Sequence, residues 1–257
     1  MSREARDVPA GDVDYARHGQ GYAAQRRADP RIFAQIQAAF GAARSVLNVG
    51  AGAGSYEPLD RHVIAIEPSA AMRAQRPPHL APAIDAVAEH LPLDDRSVDA
   101  SLASITVHQW RELERGLGEL RRVTRGNVVV LTFDPDALGD FWLSLYAPEL
   151  LAAERARLPS IARIVRCLGE RVDVQPVTIP SDCCDGFTEA YYARPEVFLE
   201  SVVRRSQSAW TFLEPGMEEQ IVARLRAALE SGEWDARFGA LRRQPTYQGS
   251  LRLIVGS

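Results

Sequence analysis

The sequence predicts an α/β chain: a doubly wound sheet of seven mostly parallel strands, an antiparallel last strand and a helical insert. Three observations predict it. From Ser45 onward short β-rich runs alternate with helical stretches, the pattern of parallel strands joined by crossovers. The first run, Val46–Val49, passes into Gly50-Ala51-Gly52-Ala53-Gly54, and the second, Val63–Ile66, ends on Glu67. About seventy residues then separate the last two β-rich runs, where a short connection would suffice.

The elements follow in order. Residues 1–13 are polar, the composition of a mobile terminus, and Tyr15 to Arg27 are mixed. Asp29 caps a helix with Pro30 in its first turn and Ile32, Phe33, Ile36, Ala39 and Phe40 at helical spacing. Gly41 stops it. Strands are expected near 46–49, 63–66, 83–85, 98–104 and 127–133, the fifth preceded by a helix through Leu117–Val123. A sixth is expected at Val172–Ile179, and the seventh, Ser250–Val255, inserts antiparallel beside its neighbours. This divides the chain into an N-terminal lid and helix (1–44), a core (45–180 with 244–257) and an insert (181–243). The insert carries Phe187, Tyr191, Tyr192, Phe198, Trp210 and Phe212. It reads either as a cap over the strand C-termini, where open α/β sheets bind ligands, or as an enlargement of the core.

Composition narrows the function. The 257 residues suffice for an ample core without disulfides, and a net charge of -4 with scattered basic residues gives no nucleic-acid footprint. No apolar run reaches the length of a membrane span, and the first residues lack the apolar centre of a signal peptide. Three cysteines without metal-ligand spacing point to a reduced, cytoplasmic protein with no metal site. Oligomeric state is not legible.

The glycine turn lets backbone approach a ligand closely. Glu67, ending the next strand, offers two acceptor oxygens to ribose hydroxyls, as in a nucleoside-binding half of a doubly wound sheet. A dinucleotide fingerprint needs glycine at 55, where the chain has Ser55; the spacing is G-x-G-x-G. That spacing resembles the first motif of class I S-adenosylmethionine-dependent methyltransferases. Glu89-His90-Leu91-Pro92-Leu93-Asp94-Asp95-Arg96-Ser97-Val98-Asp99 is similar to a segment of their type 11 group, which includes quinone and small-molecule enzymes. The resemblance spans roughly residues 45–135 and implies a Rossmann-like fold.

It also implies S-adenosylmethionine as cofactor and methyl transfer by in-line displacement to a small-molecule acceptor under the cap. Cofactor contacts fall to Asn48, Gly50, Ala51, Gly52, Glu67 and Pro68. Further contacts are Ala88, Glu89 and Ala103, with Tyr22 and Arg26 from the N-terminal segment. Arg26 could pair with the cofactor's carboxylate, while Tyr15 and Tyr22 could close the lid. Asn48 stands where relatives carry Asp or Glu; Val87 stands where they often carry Asp, and reads as core packing. Candidates at the acceptor are His108, after the fourth strand, Asp134, ending the fifth, and Tyr191 in the insert. His108 reads as a general base or a positioning group. Asp134 reads equally as a turn residue. Asp182 and Asp185 could orient a polar substrate group, Cys183 and Cys184 read as buried thiols, and Trp110 as pocket wall or core. The aromatic insert suggests a partly apolar acceptor. Two other classes stay open: a nucleotide-dependent oxidoreductase on a related fold, and a regulatory protein that kept the fold without catalysis.

Overall fold

The computed structural model describes residues 26–257. Tyr15 and Tyr22 therefore lie outside the described residues. The expected first helix is α1 (Pro30–Phe40), with the Asp29 carboxylate accepting from the Arg31 N–H at its N-cap and Gly41 ending it at φ 58°. Five strands run parallel: β1 (Ser45–Val49), β2 (His62–Ile66), β3 (Ala83–Ile84), β4 (Ala100–Ser104) and β5 (Val128–Phe133). Between β2 and β3 lies the short α2 (Ala70–Arg73), and between β4 and β5 lies α3 (Leu113–Val123).

After β5 come α4 (Leu143–Tyr146), α5 (Pro148–Arg157) and α6 (Ile161–Leu168), then β6 (Val172–Pro176). The remaining elements are β7 (Ile179–Pro180), α7 (Ser201–Arg205), α8 (Met217–Glu230), α9 (Glu233–Phe238), β8 (Thr246–Tyr247) and β9 (Leu251–Gly256). The main sheet runs β3-β2-β1-β4-β5-β9-β6, with β9 antiparallel to both neighbours, as the sequence predicts.

Two expectations change. The sixth strand does not run to Ile179. It stops at Pro176, which has no N–H to extend a ladder, and Ile179–Pro180 turn aside to pair antiparallel with Thr246–Tyr247. The helical layer also has two sources rather than one. Residues of α4 and α5, assigned from sequence to the core, pack in one apolar cluster with the insert. Trp142 donates its indole N–H to Tyr192 O at 2.9 Å and meets Trp234 edge-on at 5.4 Å between ring centroids.

Strand alternation divides the core. Val46, Leu102, Val129, Leu131 and Leu253 face α1 and the helical layer. Leu47, Ala103, Val128, Val130 and Ile254 face α3 and α6. Among the described residues no helix is long and apolar enough to cross a membrane.

Candidate active site

Strand order reverses between β1 and β4, because β2 and β3 build outward on one side and β4 and β5 on the other. A crevice must open at their C-terminal ends, the place where doubly wound sheets hold ligands. A cleft lies there, lined by the loop after β1, the end of β2, residues 86–89 and the segment after β4.

The glycine turn forms its floor. Gly50 and Gly52 have φ of 69° and 52°, the left-handed region that glycine enters without cost. A Cβ on Gly50 would overlap the Thr106 side chain, so the β1 and β4 loops touch only because residue 50 has none. Glu67 is 7% exposed. Its Oε2 accepts from Gly52 N at 2.8 Å and its Oε1 from Ser69 N at 2.8 Å. Burial raises its pKa; the two N–H bonds, Arg73 and Arg76 pull the other way without cancelling the rise.

Asn48, a neutral side chain in the cleft wall, is anchored to a buried ion pair. Its Nδ2 donates to Glu57 Oε1 at 3.0 Å, and Glu57 Oε2 meets Arg76 Nη2 at 2.8 Å in a buried ion pair. Arg76 also donates to Gly52 O at 3.4 Å. Glu57 does not line the cleft; through Arg76 it braces the glycine turn from behind Asn48. The sequence reading missed Glu57, although it directly follows the turn.

The opposite wall is Val87, Ala88, Glu89, Gln109 and Trp110. Val87 is not core packing: it is 37% exposed and faces the cleft. Glu89 Oε1 accepts from Arg111 N at 2.8 Å and Glu112 N at 3.2 Å, fixing the turn into α3. Trp110 lies against Gly116 of α3, where any Cβ would strike its ring. Pro68 and Ala51 also line the cleft, as the sequence suggests.

Arg26 reaches the cleft but carries a partner. Its Nε donates to Asp185 Oδ1 at 2.6 Å, while Tyr56 donates its hydroxyl to Asp185 Oδ2 at 2.9 Å. Burial first, then the Asp185 charge, pushes the Tyr56 phenol well above its ordinary pKa. Asp182 instead pairs with Arg31 at 2.6 Å on an exposed surface. Cys183 is buried and its thiol is pushed up to about 12, chiefly by burial; Cys184 is partly buried.

A second, smaller pocket adjoins the cleft, and Arg26, Ile105 and Gln109 line both. Its apolar wall includes Phe133, Leu138 and Phe187, and its polar wall His108, Glu154 and Glu189. Glu189 is 1% exposed and accepts from both the N–H and the hydroxyl of Ser250, at 2.9 and 2.8 Å. Burial pushes its carboxyl up to about 7; the Ser250 bonds oppose the rise and the Glu154 charge adds to it. The Glu154 carboxyl is likewise raised by burial. Ile105, between the cavities, holds φ 49°, a left-handed conformation strained for a β-branched residue.

Three expected site residues lie elsewhere. Ala103 is buried against the α3 layer, because strand alternation turns it away; Ser104, Ile105 and Thr106 line the cleft instead. Asp134 Oδ1 accepts from Asp136 N at 3.1 Å and Oδ2 approaches Arg252 at 3.4 Å, the turn role rather than a place in either cavity. Tyr191 is buried in the aromatic cluster, edge-on to Phe198 at 5.6 Å with Arg194 over its ring, and lines neither cavity. Glu154 and Glu189 had no local sequence signal. Their proximity comes from α5 and the insert folding over the same strand ends.

The cleft fits the cofactor the motifs imply, with a glycine cradle that a Cβ would fill and a buried carboxylate with lone pairs to spare. Known proteins agree. The family described as a methyltransferase domain matches residues 47–132. No curated protein matches the chain. Among solved structures, a protein of Anabaena variabilis assigned as a methyltransferase of an antibiotic biosynthesis pathway superposes with TM-score 0.84 at 29% identity. The match covers 91% of this chain and 99% of that one. An S-adenosylmethionine-dependent methyltransferase of Thermotoga maritima superposes with TM-score 0.55 at 17% identity, covering 94% of each chain, a likeness of fold alone.

Proposed function

We propose that this chain, whose residues 47–132 match the methyltransferase-domain family, acts as a class I S-adenosylmethionine-dependent methyltransferase of type 11, with a small-molecule acceptor in the second cavity and the cofactor in the larger cleft. One observation carries this reading: the two cavities meet along a shared wall of Arg26, Ile105 and Gln109. A cofactor and an acceptor that exchange a group need such a junction.

When bound, S-adenosylmethionine supplies an electrophilic methyl group on a sulfonium. The residues of this chain have three tasks. Glu67, Gly50 and Gly52 hold the nucleoside end, and Val87, Ala88 and Trp110 flank the adenine. Arg26, held by Asp185, which itself accepts from the Tyr56 hydroxyl, closes the junction from the N-terminal side. Phe133, Leu138 and Phe187 exclude water from the acceptor and favour a partly apolar body. Alignment of bound groups supplies much of the rate in such a reaction, so His108 serves mainly to position the acceptor. Phe187, Glu189 and Ala209 come from the 181–243 segment, which supports its reading as a cap.

Calorimetry of the purified protein tests the cofactor assignment. S-adenosylhomocysteine should bind with micromolar-range affinity and NAD far more weakly. NAD binding as tight or tighter would overturn the assignment of the cleft.

A further inference from the structure

We propose that Asp185 is a specificity-determining residue: its carboxylate cancels the Arg26 charge where the two pockets meet, so that the cleft admits a sulfonium. The inference rests on the reading of the cleft and the adjoining pocket as cofactor and acceptor sites. It adds what lets a cationic cofactor stand beside an arginine.

The charges of the cleft carry the proposal. Among the described residues that line it, Arg26 is the one cation, and Glu67, Glu89 and Asp185 are the carboxylates. Glu67 follows β2 and binds the glycine turn, and Glu89 fixes the turn into α3, so both belong to the nucleoside side on this reading. Arg26 stands at the junction, since it lines both pockets. Methyl transfer across that junction requires the sulfonium to be held beside it. An uncompensated guanidinium there would repel a second positive charge. Asp185 removes that repulsion. Its Oδ1 accepts from Arg26 Nε at 2.6 Å, and the two side chains are 2% and 12% exposed, so solvent screens the pair little.

The backbone of residue 26 is held without that carboxylate. Arg26 and Asp185 form an antiparallel bridge through their main chains, and the Ser55 hydroxyl donates to Arg26 O at 3.1 Å. A few residues on, Asp29 accepts from Cys184 N at 3.2 Å. These bonds join the N-terminal segment to the insert and to the glycine turn. What the Asp185 side chain adds is a charge and an orientation for the guanidinium. Tyr56 steadies it from the turn by donating its hydroxyl to Oδ2 at 2.9 Å. Glu154 of α5 also feels Arg26, but less than it feels Arg157, so its charge is shared rather than given to Arg26.

S-adenosylmethionine and S-adenosylhomocysteine differ at sulfur by one methyl group and one positive charge. Their other charges are the same. The ratio of their dissociation constants therefore isolates the electrostatics around the sulfur. A loss of shape or stability in the site would move both constants together.

The test uses the whole chain without acceptor and titrates both molecules by calorimetry, with circular dichroism to check the fold of each variant. On the parent protein S-adenosylmethionine should bind within about tenfold of S-adenosylhomocysteine. Asp185→Asn keeps the shape, because its amide oxygen can accept from Arg26 while its N–H donates to the Tyr56 oxygen. It should shift the ratio about tenfold against S-adenosylmethionine, the scale of one unit charge acting across several ångströms in a protein site. Arg26→Gln should shift the ratio the other way, and the double variant should return it to within about threefold of the parent. Tyr56→Phe changes no charge and should leave the ratio where it is. The inference is overturned if Asp185→Asn changes both constants by the same factor, or if Arg26→Gln leaves the ratio unchanged or moves it against S-adenosylmethionine. If Asp185→Asn fails to fold, Arg26→Gln and the parent ratio decide. A parent preference for S-adenosylhomocysteine beyond about tenfold overturns the inference by itself. Failure of both molecules to bind the parent would overturn the cofactor reading, and this inference with it. Binding of both without the opposed shifts would overturn this inference alone.

Discussion

Removing the Glu67 carboxylate should cost most of the cofactor affinity, and the structure gives the size. Each carboxylate oxygen has two lone-pair sites. One site on Oε2 is taken by Gly52 N and one on Oε1 by Ser69 N, both at 2.8 Å. One site per oxygen remains for a ribose hydroxyl. A hydrogen bond to a charged group contributes roughly 1.5–3 kcal/mol. Two such bonds at the lower figure give about 3 kcal/mol, a loss of about 150-fold in the S-adenosylhomocysteine dissociation constant for Glu67→Ala. Glu67→Gln separates binding from scaffolding. Its amide oxygen can keep one backbone N–H, but its NH₂ faces the other, donor against donor. That variant should lose about 1–3 kcal/mol of stability as well as affinity. Calorimetric titration gives the affinities, and circular dichroism with thermal melting gives the fold and stability. A folded Glu67→Ala protein whose dissociation constant stays within about threefold of the parent would refute the reasoning, since the ribose would then be held elsewhere.

Other expectations follow from the same geometry. Gly50→Ala meets both a left-handed φ of 69° and the Thr106 side chain; it should lower Tm by the equivalent of at least about 1–2 kcal/mol and weaken S-adenosylhomocysteine binding. Arg76→Ala strands the buried Glu57 charge and should cost about 3–5 kcal/mol by urea unfolding. The double variant Arg76→Ala with Glu57→Gln should be more stable than Arg76→Ala alone, and equal losses would mean that the pair carries no buried charge. Glu189 has a carboxyl raised from 4.5 to about 7, so the folded state holds a proton that the unfolded chain releases. Stability contributed by this group is therefore present at low pH and declines as pH rises from about 4.5 to 7, by up to about 3 kcal/mol. Unfolding at several pH values should show that decline in the parent and a flatter profile in Glu189→Gln.

What the sequence made legible was local. The turn after β1 and the carboxylate ending β2 are short-range signals, because a glycine at positive φ and a strand end each depend on a few neighbouring residues. The parallel strands were legible for the same reason, as runs such as Val128–Phe133 are apolar on both faces. Residues chosen for their chemical type fared differently. Tyr191 was singled out as a ring with a hydroxyl, but a large aromatic contributes most by burial, and the cluster with Phe198 and Trp142 takes it. Asp134 precedes Pro135 and takes the turn role that such a position favours. The partnership of Glu57 with Arg76, and the meeting of His108, Glu154 and Glu189, join residues far apart in the chain. No periodicity announces them. Helix α5 was invisible for a related reason: Leu150 and Leu151 are adjacent rather than spaced along a stripe.

The position of β9 has a consequence for how the protein is made. Strands β1 to β5 and the cleft segments between them lie within the first 133 residues of the chain. The strand that covers the β5 edge begins at Leu251, about 120 residues later. At ribosomal rates of roughly 5–20 residues per second, that delay is on the order of ten seconds. During it the apolar backbone of β5 is an open edge, able to pair with another chain. β6 emerges within that interval and cannot protect β5, since in the finished sheet it touches only β9. The nascent chain thus has the parts of a cofactor cleft long before it has a closed sheet. Ligand binding to that early half, or a chaperone on its exposed edge, would decide how many chains reach the native state.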